Sequence, residues 1–151
     1  MKTTVCCCLL LAIVLLAPAG AKTKKSPNDI FVVVNSSIPV GMVSAETVKA
    51  YFLKQQRHWE NGVEVVAIND MDNTALRKDF QEKVLKMSSL NEDSYWEAQK
   101  IQNSVAPPAE LSERLKAVYK MSGGISYIYR SEYKEDVVSV VLVVPAETKS
   151  K

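Results

Sequence analysis

Hydrophobic and polar positions alternate along the chain in blocks that change period. Ile30 to Val34 is a short, β-branched apolar run and predicts a buried strand, broken by Asn35-Ser36-Ser37 and Pro39-Val40-Gly41. Ser44 then reads as a helix N-cap, with Val43 and Val48 placed as a hydrophobic staple. Val48, Tyr51 and Phe52 give the stripe of a helix ending near Lys54. Val63 to Ile68 predicts a second strand with both faces buried, which favours an internal position in a mostly parallel sheet.

After the polar turn Asn69 to Asn73, Leu76, Phe80 and Val84 recur every four residues on a second helix, expected to reach about Met87. Leu90 and Asn91 suggest a staple and cap for a third helix carrying Tyr95, Trp96 and Ile101. Leu111, Leu115 and Val118 mark a fourth, stopped by Gly123-Gly124. Ile125 to Tyr129 and Val137 to Val144 read as the last strands, and Pro145 ends the second. The order β-α-β-α-α-α-β-β predicts an α/β fold with helices packed on a sheet of about four strands.

The first residues follow a different pattern. Lys2, the apolar run Val5 to Leu16 and Ala19-Gly20-Ala21 fit a signal peptide over residues 1–21, cleaved near Ala21. The expected organisation is then a polar leader at 22–28, one α/β domain at 29–145 and a polar tail at 146–151, in an exported, periplasmic protein. All three cysteines, Cys6, Cys7 and Cys8, leave with the signal, so no disulfide or thiolate chemistry is expected. No second apolar run is long enough to span a membrane.

Charge narrows the function classes. The 151 residues carry 19 Lys and Arg against 17 Asp and Glu, a net +2 that leaves no footprint for nucleic acid. The single histidine, His58, lies in a polar link, and no metal-ligand spacing, phosphate loop or nucleophile elbow is present. The reading is therefore of a protein that is not an enzyme, with no cofactor and no metal.

The informative stretch is Asn69-Asp70-Met71-Asp72-Asn73-Thr74, which follows a buried strand and opens a helix. Ligands of open α/β sheets bind at the carboxyl ends of strands, where free N–H groups of helix starts attract anions. Asn73 and Thr74 add side-chain donors there, and Arg77, one turn in, adds charge. Asp70 and Asp72 can accept hydrogen bonds from a protonated oxyanion and repel a fully ionised one. The competing reading is that Asn73 or Asp72 only caps the helix and Arg77 points to solvent. Ser36, after the first strand, is a similar candidate, either facing a cleft or simply a turn residue. Ser122-Gly123-Gly124 reads as a backbone anion nest or, more economically, a helix stop.

Three stretches also resemble phosphate-binding proteins of ABC transporters. Val32-Val33-Val34-Asn35, then Val43 to Lys54 leading to Trp59, resembles that family's strand, helix, Gly-Lys and Trp, with Leu53 in place of the Gly. Val65 to Phe80 resembles its second strand and Asp-Gly-Ser-Gly-Thr ligand turn, with Asp72, Asn73 and Thr74 at the Asp, Gly and Ser. The family's Arg before that turn has no basic counterpart; Asp70 is near its place. Gly123 to Ile128 is similar to the family's Pro-Gly-Ala-Ile-Gly-Tyr-Val segment. The resemblance implies a type 2 periplasmic-binding-protein-like fold, here a single lobe of a two-lobed family. It also implies binding of phosphate or a similar oxyanion, with an ABC transporter permease or another envelope protein as partner. The alternative is a periplasmic protein–protein interaction module that kept the lobe and lost the ligand.

Overall fold

The computed structural model describes residues 25–134 and 137–146, less the side chain of Thr74. The expected signal segment, the start of the leader and the end of the tail lie outside the described residues.

Five strands form one sheet. They are β1 (Ile30–Asn35), β2 (Val66–Asp70), β3 (Ala109–Leu111), β4 (Gly124–Tyr129) and β5 (Val138–Val144), in the spatial order β3-β2-β4-β1-β5. The helices are α1 (Ala45–Phe52), α2 (Thr74–Phe80), α3 (Ser89–Asn103) and α4 (Arg114–Lys120). β2 runs parallel to β3 and β4, while β1 runs antiparallel to both β4 and β5. Four strands thus point one way and β1 opposes them.

The period-2 alternation of β1 explains its burial on both faces. Ile30, Val32 and Val34 join one core with Val48, Phe52, Leu76, Phe80 and Tyr127, beneath α1 and α2. Phe31 and Val33 join the other with Ile68, Val118 and Ile128, beneath α4. The rings of Phe80 and Tyr127 stack with centroids 3.8 Å apart and planes 6° from parallel.

Local chemistry sets the helix starts. Ser44 caps α1, its side chain accepting from Thr47 N–H at 3.0 Å, and Val43 and Val48 pack in the same core. α3 begins two residues before the expected Asn91, because Ser88 is its cap, accepting from Asn91 N–H. Leu90, read as a staple residue, and Ile101 are both exposed on it. The second helix does not run evenly to Met87. α2 gives way to a π-helical turn, Gln81–Leu85, ended by Lys86 in the left-handed region.

Two differences at the sheet matter for the site. β2 starts later and ends later than the apolar run suggests. Val63 and Val65 are held by the preceding segment, through Trp59 N–H to Val63 O and Val65 N–H to Arg57 O. Parallel pairing with β3 then carries the strand through Asn69 and Asp70, which are strand residues rather than turn residues. β3 itself was not expected. It takes Leu111 out of the fourth helix, which starts only at Arg114.

Gly123 and Gly124 serve close packing. A Cβ on Gly123 would lie 1.7 Å from Glu64 O, and one on Gly124 2.9 Å from Val118 Cα. The start of β4 can approach α4 and the residues just before β2 only without side chains at both positions.

Candidate functional site

The site is built at the carboxyl end of β2. Asp70 closes the strand with its side chain wholly buried. Its Oδ1 accepts the N–H groups of Asp72 (3.0 Å) and Asn73 (3.2 Å), a local turn that aims the chain into α2. Asn73 then caps α2, its Oδ1 accepting from Leu76 N–H at 3.0 Å. Three of the donors around the helix start are therefore taken by the chain itself.

The other Asp70 oxygen, Oδ2, is buried without a hydrogen bond. Arg114 Nη1 stands 3.1 Å from it, an ion pair outside hydrogen-bonding alignment. Arg114 is otherwise fixed, donating from Nε to Tyr127 O (3.0 Å) and from Nη2 to Glu132 Oε2 (2.9 Å). The Tyr127 hydroxyl accepts from Asp70 N–H at 3.2 Å and lies 3.3 Å from Asn69 Oδ1, to which it donates. Burial pushes the Tyr127 hydroxyl up to about 12, against the opposing pull of Arg77 and Arg114.

Arg77 comes from the second turn of α2. Its Nη2 donates to Glu92 Oε1 at 2.6 Å, while its Nη1 is buried with no partner. Glu92, on α3, is buried and also accepts from Gln81 Nε2 and from Trp96 Nε1 (3.4 Å). Ser89 Oγ donates to Gln81 Oε1 at 3.2 Å. Burial alone would lower the Arg77 pKa, but the hydrogen bond to Glu92 and the charges of Tyr127, Glu92 and Glu110 raise it, so the guanidinium stays charged. A cavity of about 380 Å³ opens between these groups, lined by Asp70, Arg77, Lys78, Gln81, Ser89 and Glu110, with Met71 at 62% exposure beside them.

The structure thus brings Asp70 and Arg77 to one cavity. Asn69 is buried behind them against Tyr127, and Asp72 is exposed. The side chain of Thr74 is outside the described atoms. Ser36 does not join the site. Because β1 opposes its neighbours, Val34 lies beside Ile125 and Ile125 beside Ala67, so β1 ends at the start of β2. Ser36 follows at the other end of the sheet from Asp70. Arg77 does not point to solvent, since Glu92 holds it inward.

Arg114, Glu132, Gln81, Ser89 and Glu92 were not legible as site residues. Only Glu92 and Gln81 carried a signal, as polar residues on the buried faces of otherwise amphipathic segments. Among the described residues, no group of three or more His, Cys, Asp or Glu is close enough to hold a metal ion. No helix among them is long and apolar enough to cross a membrane.

The fold is that of one lobe of known receptors. The chain is similar to an ABC-type phosphate transport receptor from Vibrio cholerae (TM-score 0.59, 12% identity, over 78% of this chain and 47% of that one). It is also similar to a protein from Clostridium perfringens described as a phosphate ABC transporter substrate-binding protein and solved with bound phosphate (TM-score 0.57, 19% identity, over 76% of this chain and 45% of that one). The matched region is less than half of either receptor's length. No protein-family model matches the chain, and no curated protein matches it.

Proposed function

We propose that this protein is a periplasmic solute-binding protein rather than an enzyme, and that it holds a small protonated oxyanion, phosphate by resemblance, in the cavity at the end of β2. The observation that carries this reading is the unpaired guanidinium nitrogen of Arg77, a residue that lines that cavity together with Asp70. Arg77 Nη1 is a buried charged donor with no acceptor, whereas Asp70 Oδ2, without an aligned hydrogen bond, has the Arg114 charge 3.1 Å away. An unmet buried donor costs on the order of 1–3 kcal/mol, and a ligand that gives Arg77 an acceptor removes that cost. The ligand must then present an anionic oxygen to Arg77 and an O–H to Asp70. Hydrogen phosphate has both; sulfate lacks the proton. Lys78 also lines the cavity and adds a charge.

This differs from a site made of helix-start N–H groups, because Asp70 and Asn73 already occupy Asp72, Asn73 and Leu76 N–H. Side chains are the recognising groups here. One open lobe excludes water from the anion incompletely, so affinity is modest, on the order of 10 μM to 1 mM. An ABC transporter permease or another envelope protein is the partner implied by this reading.

Calorimetric titration of the chain without residues 1–21 is the test. The expected result is saturable phosphate binding, little or no sulfate binding, and loss of the signal in Arg77→Gln. A flat phosphate trace from folded protein overturns the reading. Exposed Met71 beside the cavity favours a second reading, a module that docks a partner protein at this end of the sheet. That reading predicts the flat trace.

A further inference from the structure

A second cavity, of about 510 Å³, lies at the opposite end of β2. Its position follows from how the flank of β2 is covered. Successive N–H groups of an extended strand point to opposite flanks. Val66 N–H goes to Gly123 O on the β4 side, so Val65 N–H, bonded to Arg57 O, marks the other side. That side is covered up to Val65 by the segment bridged at His58 and Glu64, and from Ile68 to Asp70 by β3. Val66 and Ala67 have no strand beside them there. The opening spans two residues, about 7 Å, which is too short for an added strand.

The walls of this gap are mixed. The apolar part of the floor comes from Val65 and Ala67, which share one face, with Val66 turned to the other, and Val105, Ala106 and Pro107 from the α3–β3 link also line the gap. Lys54 and Arg57 also line it. Arg77, Arg114 and Arg130 each meet a carboxylate, whereas Lys54 and Arg57 meet none among the described residues. Lys54 Nζ reaches only Pro107 O, at 3.5 Å. Burial lowers the Lys54 pKa and the Arg57 charge lowers it further, with Glu64 opposing. Lys54 and Ser104, at the C-terminal ends of α1 and α3, both take the left-handed conformation (φ 53) common at helix ends.

We infer that this gap is a second binding site, which takes a small organic acid with its apolar body on Val65 and Ala67 and its carboxylate between Lys54 and Arg57. The volume lies within the range of about 300–1,000 Å³ usual for small-ligand sites. Lys54 and Arg57 set against Glu64 leave a single net positive charge on the walls, which matches a monoanion. An apolar floor with a few convergent polar groups is the usual division of labour in such pockets.

The test uses isovalerate and its neutral amide, isovaleramide, followed by amide chemical shifts of isotope-labelled protein. Isovalerate is expected to move the signals of residues 65–67 and 104–107 saturably. The amide should bind about tenfold more weakly or not at all, since it forfeits the charge-assisted contacts. Arg57→Gln, at an exposed position, and Lys54→Met should each weaken isovalerate binding, with thermal unfolding confirming that both variants fold. Absence of saturable shifts up to about 10 mM overturns the inference. So does equal binding of acid and amide, or binding untouched by either substitution. These signals arise at the other end of β2 from Asp70, and the probe carries no phosphate. Failure of the phosphate reading therefore leaves this result unaffected.

Discussion

Two arginines flank the end of β2, Arg114 buried and Arg77 half-buried, and they end up in opposite states. Arg114 sets all three of its guanidinium nitrogens against protein oxygens, those of Tyr127, Asp70 and Glu132. Arg77, which lines a cavity, gives one nitrogen to Glu92 and leaves Nη1 buried without a partner. A buried charge whose partners are complete ties elements together; one with an open valence is suited to receive something from outside. The difference separates a structural cation from a candidate recognising one, and Arg77 is also the more exposed of the two.

That contrast is open to direct attack, beginning with the structural member. Arg114→Met leaves Asp70 buried without a counter-charge and should cost about 3–5 kcal/mol, read from the denaturant midpoint. A midpoint near wild type breaks the assignment of Arg114 as the tie between α4, β2 and β4.

Tyr127, whose hydroxyl is influenced by both arginines, gives the next effect. An unfolded tyrosine ionises near pH 10, and the folded one, raised chiefly by burial, at about 12. Between those values the unfolded chain releases a proton that the folded protein keeps. Stability should therefore fall as pH rises through that window, by about 2–3 kcal/mol in all. Tyr127→Phe should remove this alkaline slope, and an unchanged slope assigns it to another group.

Arg77→Gln is the complementary experiment. It should lower stability by only about 1–2 kcal/mol, because Glu92 keeps Gln81 and Trp96 as donors, yet abolish the phosphate signal. A large loss of stability with phosphate binding intact would reverse the roles of the two arginines. The smallest effect belongs to Asn73→Ala, which removes the cap of α2 at about 1 kcal/mol. Since Asn73 Oδ1 already serves Leu76 N–H, phosphate affinity should change little, a calorimetric result that separates a capping residue from a contacting one.

The residues that cap the helices show how far local reading reaches. Ser44 and Asn73 act on N–H groups three residues away, so their chemistry and their effect lie in one short window. The same is true of the apolar alternation that buries both faces of β1 and of the stripe that turns Phe52 and Phe80 inward. Where the local signal and the packing disagree, the packing decides. Leu90 looks like a staple but is exposed, and three residues after two prolines become β3 because β2 offers them an edge. The direction of β1 has the largest consequence. Nothing in Ile30–Asn35 states which way it runs relative to its neighbours, and that choice alone sends Ser36 away from Asp70.

The candidate site divides along the same line. Asp70, Asn73 and Arg77 fall within one turn and its helix, so their proximity is written in their spacing. Arg114 lies 44 positions beyond Asp70 and Glu92 lies 15 beyond Arg77, on elements that reach the site only once the sheet has formed. The sequence by itself determined most of the element types, the caps of α1 and α2, the buried alternation of β1 and the turn after Asp70. These depend on neighbours a few residues apart, whose geometry a helix or strand imposes. The tertiary structure alone decided which arginine is satisfied and which is not, because a charge is completed or left open by the groups that long-range packing brings to it.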